Sequence, residues 1–107
     1  MSVNKVILLG NVGADPTMSF PDKNTAIASF SLATSEPRRA NGTDTTDWHR
    51  IVVLGEDARF IERYVRKGTL LYVEGRLKYR EYEDKYKIRH KISEIIADKF
   101  EILGRNH

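Results

Sequence analysis

The chain has 107 residues, 40% of them hydrophobic, and carries 18 Lys and Arg against 15 Asp and Glu for a net charge of +3. That length supports one domain with one modest core, and the composition is that of a globular chain rather than a disordered one. The absence of cysteine excludes disulfides, thiolate metal sites and thiol nucleophiles, and with no apolar run near the ~20 residues of a spanning helix and no leader-like start, the expectation is a cytoplasmic protein without a membrane partner.

The first element is a short apolar run over residues 3–10, closed by turn residues and read as a strand. Val6 and Leu8 point to one face and Ile7 and Leu9 to the other, so the second apolar face is expected to be covered by another subunit. Residues 20–24, Phe-Pro-Asp-Lys-Asn, carry turn chemistry. A second strand follows over 25–34, with Ala28, Phe30 and Leu32 alternating against Ser29, Ser31 and Ala33. Residues 36–47 lack an apolar period and contain Pro37 and Asn41-Gly42, which predicts a long hairpin loop made basic by Arg38 and Arg39.

The third strand, 46–54, places Trp48, Arg50, Val52 and Leu54 on one face and His49, Ile51 and Val53 on the other. A helix is predicted over 56–67, with Ala58, Phe60, Ile61, Tyr64 and Val65 as its apolar stripe, acids in its first turn and Arg66-Lys67-Gly68 at its end. The fourth strand, 69–82, has two unlike faces. Leu71, Val73, Leu77 and Tyr79 read as a core face, whereas Tyr72, Arg76, Lys78, Arg80 and Tyr82 form a row of cations between aromatic rings. Glu83-Asp84 turns the chain into a last strand, or pair of strands, over 85–103.

Three strands, a helix and then two or three strands is the order of an oligonucleotide/oligosaccharide-binding (OB) barrel, with the helix plugging one end. The expected fold is therefore all-β: a five-stranded Greek-key OB barrel with one helix between strands three and four. Charge is concentrated rather than spread. Residues 76–91 hold seven Lys or Arg, including Arg76 and Lys85, against three acids. Alternating cations beside Trp48 and Tyr82 are what tracking a phosphate backbone and stacking bases require. Phosphate-cradling loops and nucleophile elbows are missing, and His49, His90 and His107 lack metal-ligand spacing. The expectation is a binding module with no metal, no cofactor and no catalytic residues.

Val3-Asn4-Lys5-Val6-Ile7-Leu8-Leu9-Gly10-Asn11, Ala33-Thr34-Ser35-Glu36, Thr46-Asp47-Trp48-His49-Arg50 and Tyr72-Val73-Glu74-Gly75, in this order, resemble the bacterial single-stranded-DNA-binding protein family. The resemblance implies an OB-fold domain over 1–104, with 105–107 a frayed end. It also implies a homotetramer, a dimer of dimers, that wraps single-stranded DNA during replication, repair and recombination at the nucleoid. By position, Trp48 and Tyr82 match stacking rings, Leu54 offers only apolar contact where a ring is frequent, and Arg38 stands in place of a further tryptophan. Lys5, Arg50, Lys78 and Arg80 match basic positions of the DNA path. His49 and Tyr72 match subunit contacts, which reassigns Tyr72 from stacking to assembly alongside Val3, Ile7, Leu9 and Glu74. The sequence stops at His107 without the family's linker and acidic tip, which puts tail-dependent partners in doubt. The alternatives are a protein-interaction OB module of the primosome and a single-stranded RNA binder.

Overall fold

The computed structural model describes residues 1–37, 42 and 44–105. Strand β1 (Val6–Val12) starts and ends later than the sequence predicts, because Val12 is drawn into the core at 2% exposure. Ahead of it, Asn4 continues the pairing with its side chain: Nδ2 donates to the Leu77 carbonyl at 2.8 Å, and the Leu77 N–H donates to Oδ1 at 2.9 Å. Strand β2 (Thr17–Asp22) is an element the sequence reading missed. Phe20, Pro21 and Asp22 lie in it, and only Lys23 and Asn24 turn the chain into β3 (Thr25–Glu36). Proline is tolerated there because β2 is an edge strand, where one N–H is not needed by a neighbour.

Strand β4 (Thr45–Leu54) pairs with β3 from Glu36↔Thr45 to Ile27↔Leu54. Helix α1 (Glu56–Tyr64) is shorter than the predicted 56–67, since Val65 has already turned to extended geometry. Its buried stripe is Ala58 and Ile61, with Val65 just beyond. Phe60 and Tyr64, expected in that stripe, are instead 43% and 40% exposed and pack against each other with ring centroids 4.6 Å apart. Strand β5 (Leu70–Glu83) and strand β6 (Arg89–Gly104) form a long hairpin.

Closure follows from five pairings. β1 pairs with β5, β5 with β6, β6 with β4 in parallel at Ile51↔Ile95 and Val52↔Ile96, β4 with β3, and β3 returns to β1 at Asn11↔Ala33 and Val12↔Leu32. Five strands thus close a ring, β2 hangs on β3, and α1 falls between the third and fourth ring strands, as an all-β OB fold requires. The ring encloses Val12, Ala28, Leu32, Ile51, Val53, Ile61, Leu71 and Val73. Half of β5 lies beyond this core. Leu77 still packs against the core, and beyond it the hairpin projects, so that Tyr79, assigned by periodicity to the core face, is 57% exposed, with the Lys91 ammonium 4.8 Å from its ring centre.

Candidate nucleic-acid interface

Register, rather than sequence parity, shows which side chains share a surface. Directly paired residues of neighbouring strands lie on the same face of a sheet. Ala33↔Trp48 and Ser31↔Arg50 join β3 to β4, Val52↔Ile96 joins β4 to β6, and Arg76↔Ile96, Lys78↔Glu94, Arg80↔Ile92 and Tyr82↔His90 join β6 to β5. Trp48, Arg50, Lys78, Arg80 and Tyr82 therefore lie on one continuous outer face, together with Leu54 at the end of β4.

Each of these side chains is held differently. The indole of Trp48 is 62% exposed and lies against Gly13, where a β-carbon would collide with ring atom Cζ3. That glycine leaves room for the ring beside the backbone. Arg50 and Arg80 converge on a buried acid: Arg50 Nε donates to Glu94 Oε2 at 2.6 Å, and Arg80 donates from Nε to Oε1 at 3.1 Å and from a terminal nitrogen to Oε2 at 3.2 Å. The Arg80 hydrogen bond, reinforced by Arg50, holds the Glu94 carboxyl below its usual range against the opposing effect of burial, and the same contact raises Arg80. Arg76 is tied to Asp98 at 2.7 Å. Lys78 has no ion pair among the described residues.

At the hairpin tip the imidazole of His90 stacks on Tyr82, with centroids 5.0 Å apart and planes 20° from parallel. His90 Nε2 donates to Asp84 Oδ2 at 2.7 Å, while Asp84 Oδ1 accepts the N–H groups of Tyr86 and Ile88 at 2.8 and 3.0 Å. These bonds, the His90 contact first, lower the Asp84 carboxyl from its ordinary value. One acid thus closes the turn and fixes the ring that backs Tyr82. Lys85 is at this tip, 5.2 Å from the ring centre of Tyr86.

Four of the residues assigned to assembly gather elsewhere on the outside of the barrel. Ile7↔Glu74 and Leu9↔Tyr72 place these four on one face of β1 and β5, with Ile7 56% and Leu9 52% exposed. Tyr72 donates its hydroxyl to Glu74 at 2.7 Å, and the ammonium of Lys5 lies 3.2 Å from the same carboxylate. Those two contacts, Tyr72 first, lower the Glu74 carboxyl, and the Glu74 acceptor raises the Tyr72 phenol. Lys5, expected on the DNA path, is thus brought together with the assembly group rather than with Trp48. His49 shares a 2.8 Å hydrogen bond with Thr34, whose methyl abuts the position a Gly10 side chain would take. Val3 is fully exposed ahead of β1. Arg38 and Arg39 lie outside the described residues.

Sequence reasoning missed Glu94, His90 and Asp84 as partners of the outer face. Their signal lies in cross-strand register, to which a one-dimensional pattern has no access. Among the described residues, no group of His, Asp and Glu is arranged to hold a metal ion, and no helix is long and apolar enough to cross a membrane.

Comparison with known proteins places this geometry. The model of the single-strand binding protein family matches residues 3–103. A single-stranded DNA-binding protein of Bacteroides thetaiotaomicron is 44% identical, with the alignment covering 97% of this chain and 68% of that one. Its counterpart in Neisseria meningitidis serogroup A is 37% identical over 97% of this chain and 62% of its own length, so the chain spans only about two thirds of such relatives. Among solved structures, the Plasmodium falciparum SSB in complex with ssDNA superposes with a TM-score of 0.84 at 35% identity, covering 99% of this chain and 97% of that one. With the match running through all five ring strands and the helix, the chain belongs to the single-strand binding protein family.

Proposed function

We propose that this protein binds single-stranded DNA without reading its sequence and protects it during replication, repair and recombination. The observation that carries this reading is the continuous outer face on which Trp48, Arg50, Lys78, Arg80 and Tyr82 stand together. Exposed rings at its two ends offer stacking to any base, and the cations between them follow a phosphate backbone, so no base-edge hydrogen bonding is needed. Leu54 extends the apolar contact. Arg76 and Lys85, with Arg38 and Arg39 between β3 and β4 in the sequence, extend the basic path, whereas Lys5 stands with Glu74 and Tyr72. Family membership and the likeness to a protein solved with ssDNA support the same reading. It describes a binding protein rather than an enzyme, one DNA-binding domain over 1–104, acting in the cytoplasm at the nucleoid.

Assembly as a homotetramer is part of the proposal. Ile7 and Leu9 expose apolar surface beside the Lys5–Glu74–Tyr72 network, and such a patch with a polar rim is suited to a second copy. His49 and Val3 are read as contributing to the same contact.

Titration with oligo-dT, followed by the emission of the single tryptophan, tests the ligand. Quenching on binding is expected, with affinity falling as salt rises at a slope near −0.7 per phosphate neutralised. An emission unchanged at every DNA concentration would overturn the reading. Solution mass tests assembly: a monomer at micromolar concentration would refute the tetramer while leaving DNA binding standing.

A further inference from the structure

Glu94 is the one charged residue among the described buried positions, 6% exposed although its pairing with Lys78 sets it on the outer face itself. By charge alone it opposes function there, since it cancels one cation of the DNA path. Yet neither arginine is used up by it. Arg50 commits only Nε, and Arg80 commits Nε and one terminal nitrogen. A guanidinium has five N–H donors in a rigid fork, so most of the donors on both side chains stay free for an incoming anion. Both arginine side chains remain about half exposed, at 48%, while their shared anchor is buried.

We propose that Glu94 is a positioning residue for DNA binding: it holds the Arg50 and Arg80 guanidiniums side by side, so that their free N–H donors meet a phosphate as one preformed site. The inference rests on the reading of this face as a DNA-binding surface. Arginine side chains carry large rotamer entropy, and tethering both to one buried carboxylate removes that cost before DNA arrives. The contrast with neighbouring cations sharpens the point. Arg76 is paired to Asp98, which is 56% exposed, so that bond is screened and readily exchanged with solvent. Lys78, paired in register with Glu94 itself, makes no such bond among the described residues, and its ammonium offers a point charge without a fork. The Glu94 carboxyl is held in its ionised form by the same two arginines, so the anchor persists at neutral pH.

The sign of one substitution separates positioning from simple charge. Glu94→Gln preserves size and raises the net charge by one, so long-range electrostatics alone would tighten DNA binding. Positioning requires the opposite, and oligo-dT affinity at fixed salt is expected to fall about tenfold as two arginines lose their tether. Circular dichroism and a thermal melt establish that the variant is folded. A lowered Tm with undiminished affinity would show a structural role only and overturn the proposal. If the amide variant does not fold, Glu94→Asp serves in its place, retaining the charge but drawing the carboxylate back by one methylene, with a loss in the same direction.

A second measurement closes the cycle. Arg80→Lys keeps the charge and loses the fork, and is expected to weaken binding about fivefold in the natural background but hardly at all once Glu94 is replaced, because coupled residues are non-additive. Fully additive losses would overturn the inference. Absence of oligo-dT binding by the natural protein would bring down the functional reading and this inference together. Tight binding by the natural protein, with equal or tighter binding by Glu94→Gln, would overturn the inference alone.

Discussion

Removing the ring of Trp48 separates what it does for folding from what it does for DNA. The residue is 62% exposed, so a little over a third of its surface is covered, in part by Gly13. Taking ~250 Å² for a whole tryptophan, the covered part is about 95 Å², worth at most about 2.4 kcal/mol at ~25 cal/mol/Å² and about 1.5–2 kcal/mol once residual burial in the unfolded chain is allowed for. Trp48→Ala is therefore expected to lower Tm by roughly 10 °C and to leave a cooperatively folded domain. Loss of one stacked base costs ~1–3 kcal/mol, or about fivefold to 150-fold in affinity. Binding is measured by anisotropy of a labelled oligo-dT, well below the lowered Tm, because the variant has no tryptophan emission. Gly13→Ala is the companion, since its β-carbon would push the indole off the backbone without removing it, and a smaller loss of affinity is expected. If Trp48→Ala binds within twofold of the natural protein, stacking at this position is refuted. If it fails to fold, the accounting of its burial is wrong.

The hairpin tip gives a second test: Tyr82→Ala should cost ~1–3 kcal/mol in oligo-dT affinity, and His90→Ala a smaller part, because it removes the ring that backs Tyr82 but leaves the tyrosine in place. Gly75→Ala should destabilise the barrel by about 1–3 kcal/mol in a denaturant or thermal melt, since its β-carbon would strike the backbone carbonyl of Ile96. An unchanged melt would show that β5 and β6 are not so closely apposed. Acid should loosen the hairpin tip. The Asp84 carboxyl is lowered in the folded state, so its contribution is complete above its unfolded value of about 3.9 and is lost as pH falls through the folded value below that. Amide exchange or NMR shifts of residues at the tip should report this loss in the natural protein, and Asp84→Asn should remove the pH dependence over that range.

Much of the barrel was legible because its inner faces obey a simple period. Ala28, Phe30 and Leu32, and likewise Leu71 and Val73, alternate without interruption, and each is buried. The helix was found for the same reason, although its length was not. Arg66-Lys67-Gly68 read as last-turn residues, whereas Thr69 takes over there, donating its N–H to the Arg66 carbonyl and accepting the Arg66 N–H on its hydroxyl, at 3.1 Å each. Strand β2 was hidden by Pro21, which signals a turn in any scheme that ignores whether a strand is at an edge. Tyr79 was misassigned because a period says which face a side chain takes and not where the core along that face ends. Trp48 and Tyr82 were legible as a pair of rings flanking cations, but Glu94 was not, because its partners lie 44 and 14 residues away and meet it only through strand pairing.

Strand β6 is the instructive failure, and its cause also explains how one hairpin serves two surfaces. Its apolar residues, Ile92, Ile95, Ile96, Phe100, Ile102 and Leu103, follow no single parity. Register accounts for this. Gly75 pairs with Ala97 but Glu74 with Lys99, so Asp98 is an extra residue in β6, and a second slip at Leu70/Leu71 leaves Leu103 over. A bulge exchanges inside for outside: Ile95 and Ala97 face the core before it, and Phe100 and Ile102 after it. On the outer face the same residue divides the surface. Towards the tip it carries Glu94 with Arg50 and Arg80, towards the chain end it carries Lys99 and Glu101 opposite Glu74 and Tyr72, and the carboxylate of Asp98 itself accepts Arg76 at the boundary. With Asp98 present, unbroken alternation without the bulge would by the one-residue rule turn one half of the strand inside out and take Phe100 and Ile102 away from the core. The bulge is therefore a condition for having a packed core along the whole of β6 while its outer side changes from the group assigned to assembly to the group assigned to DNA.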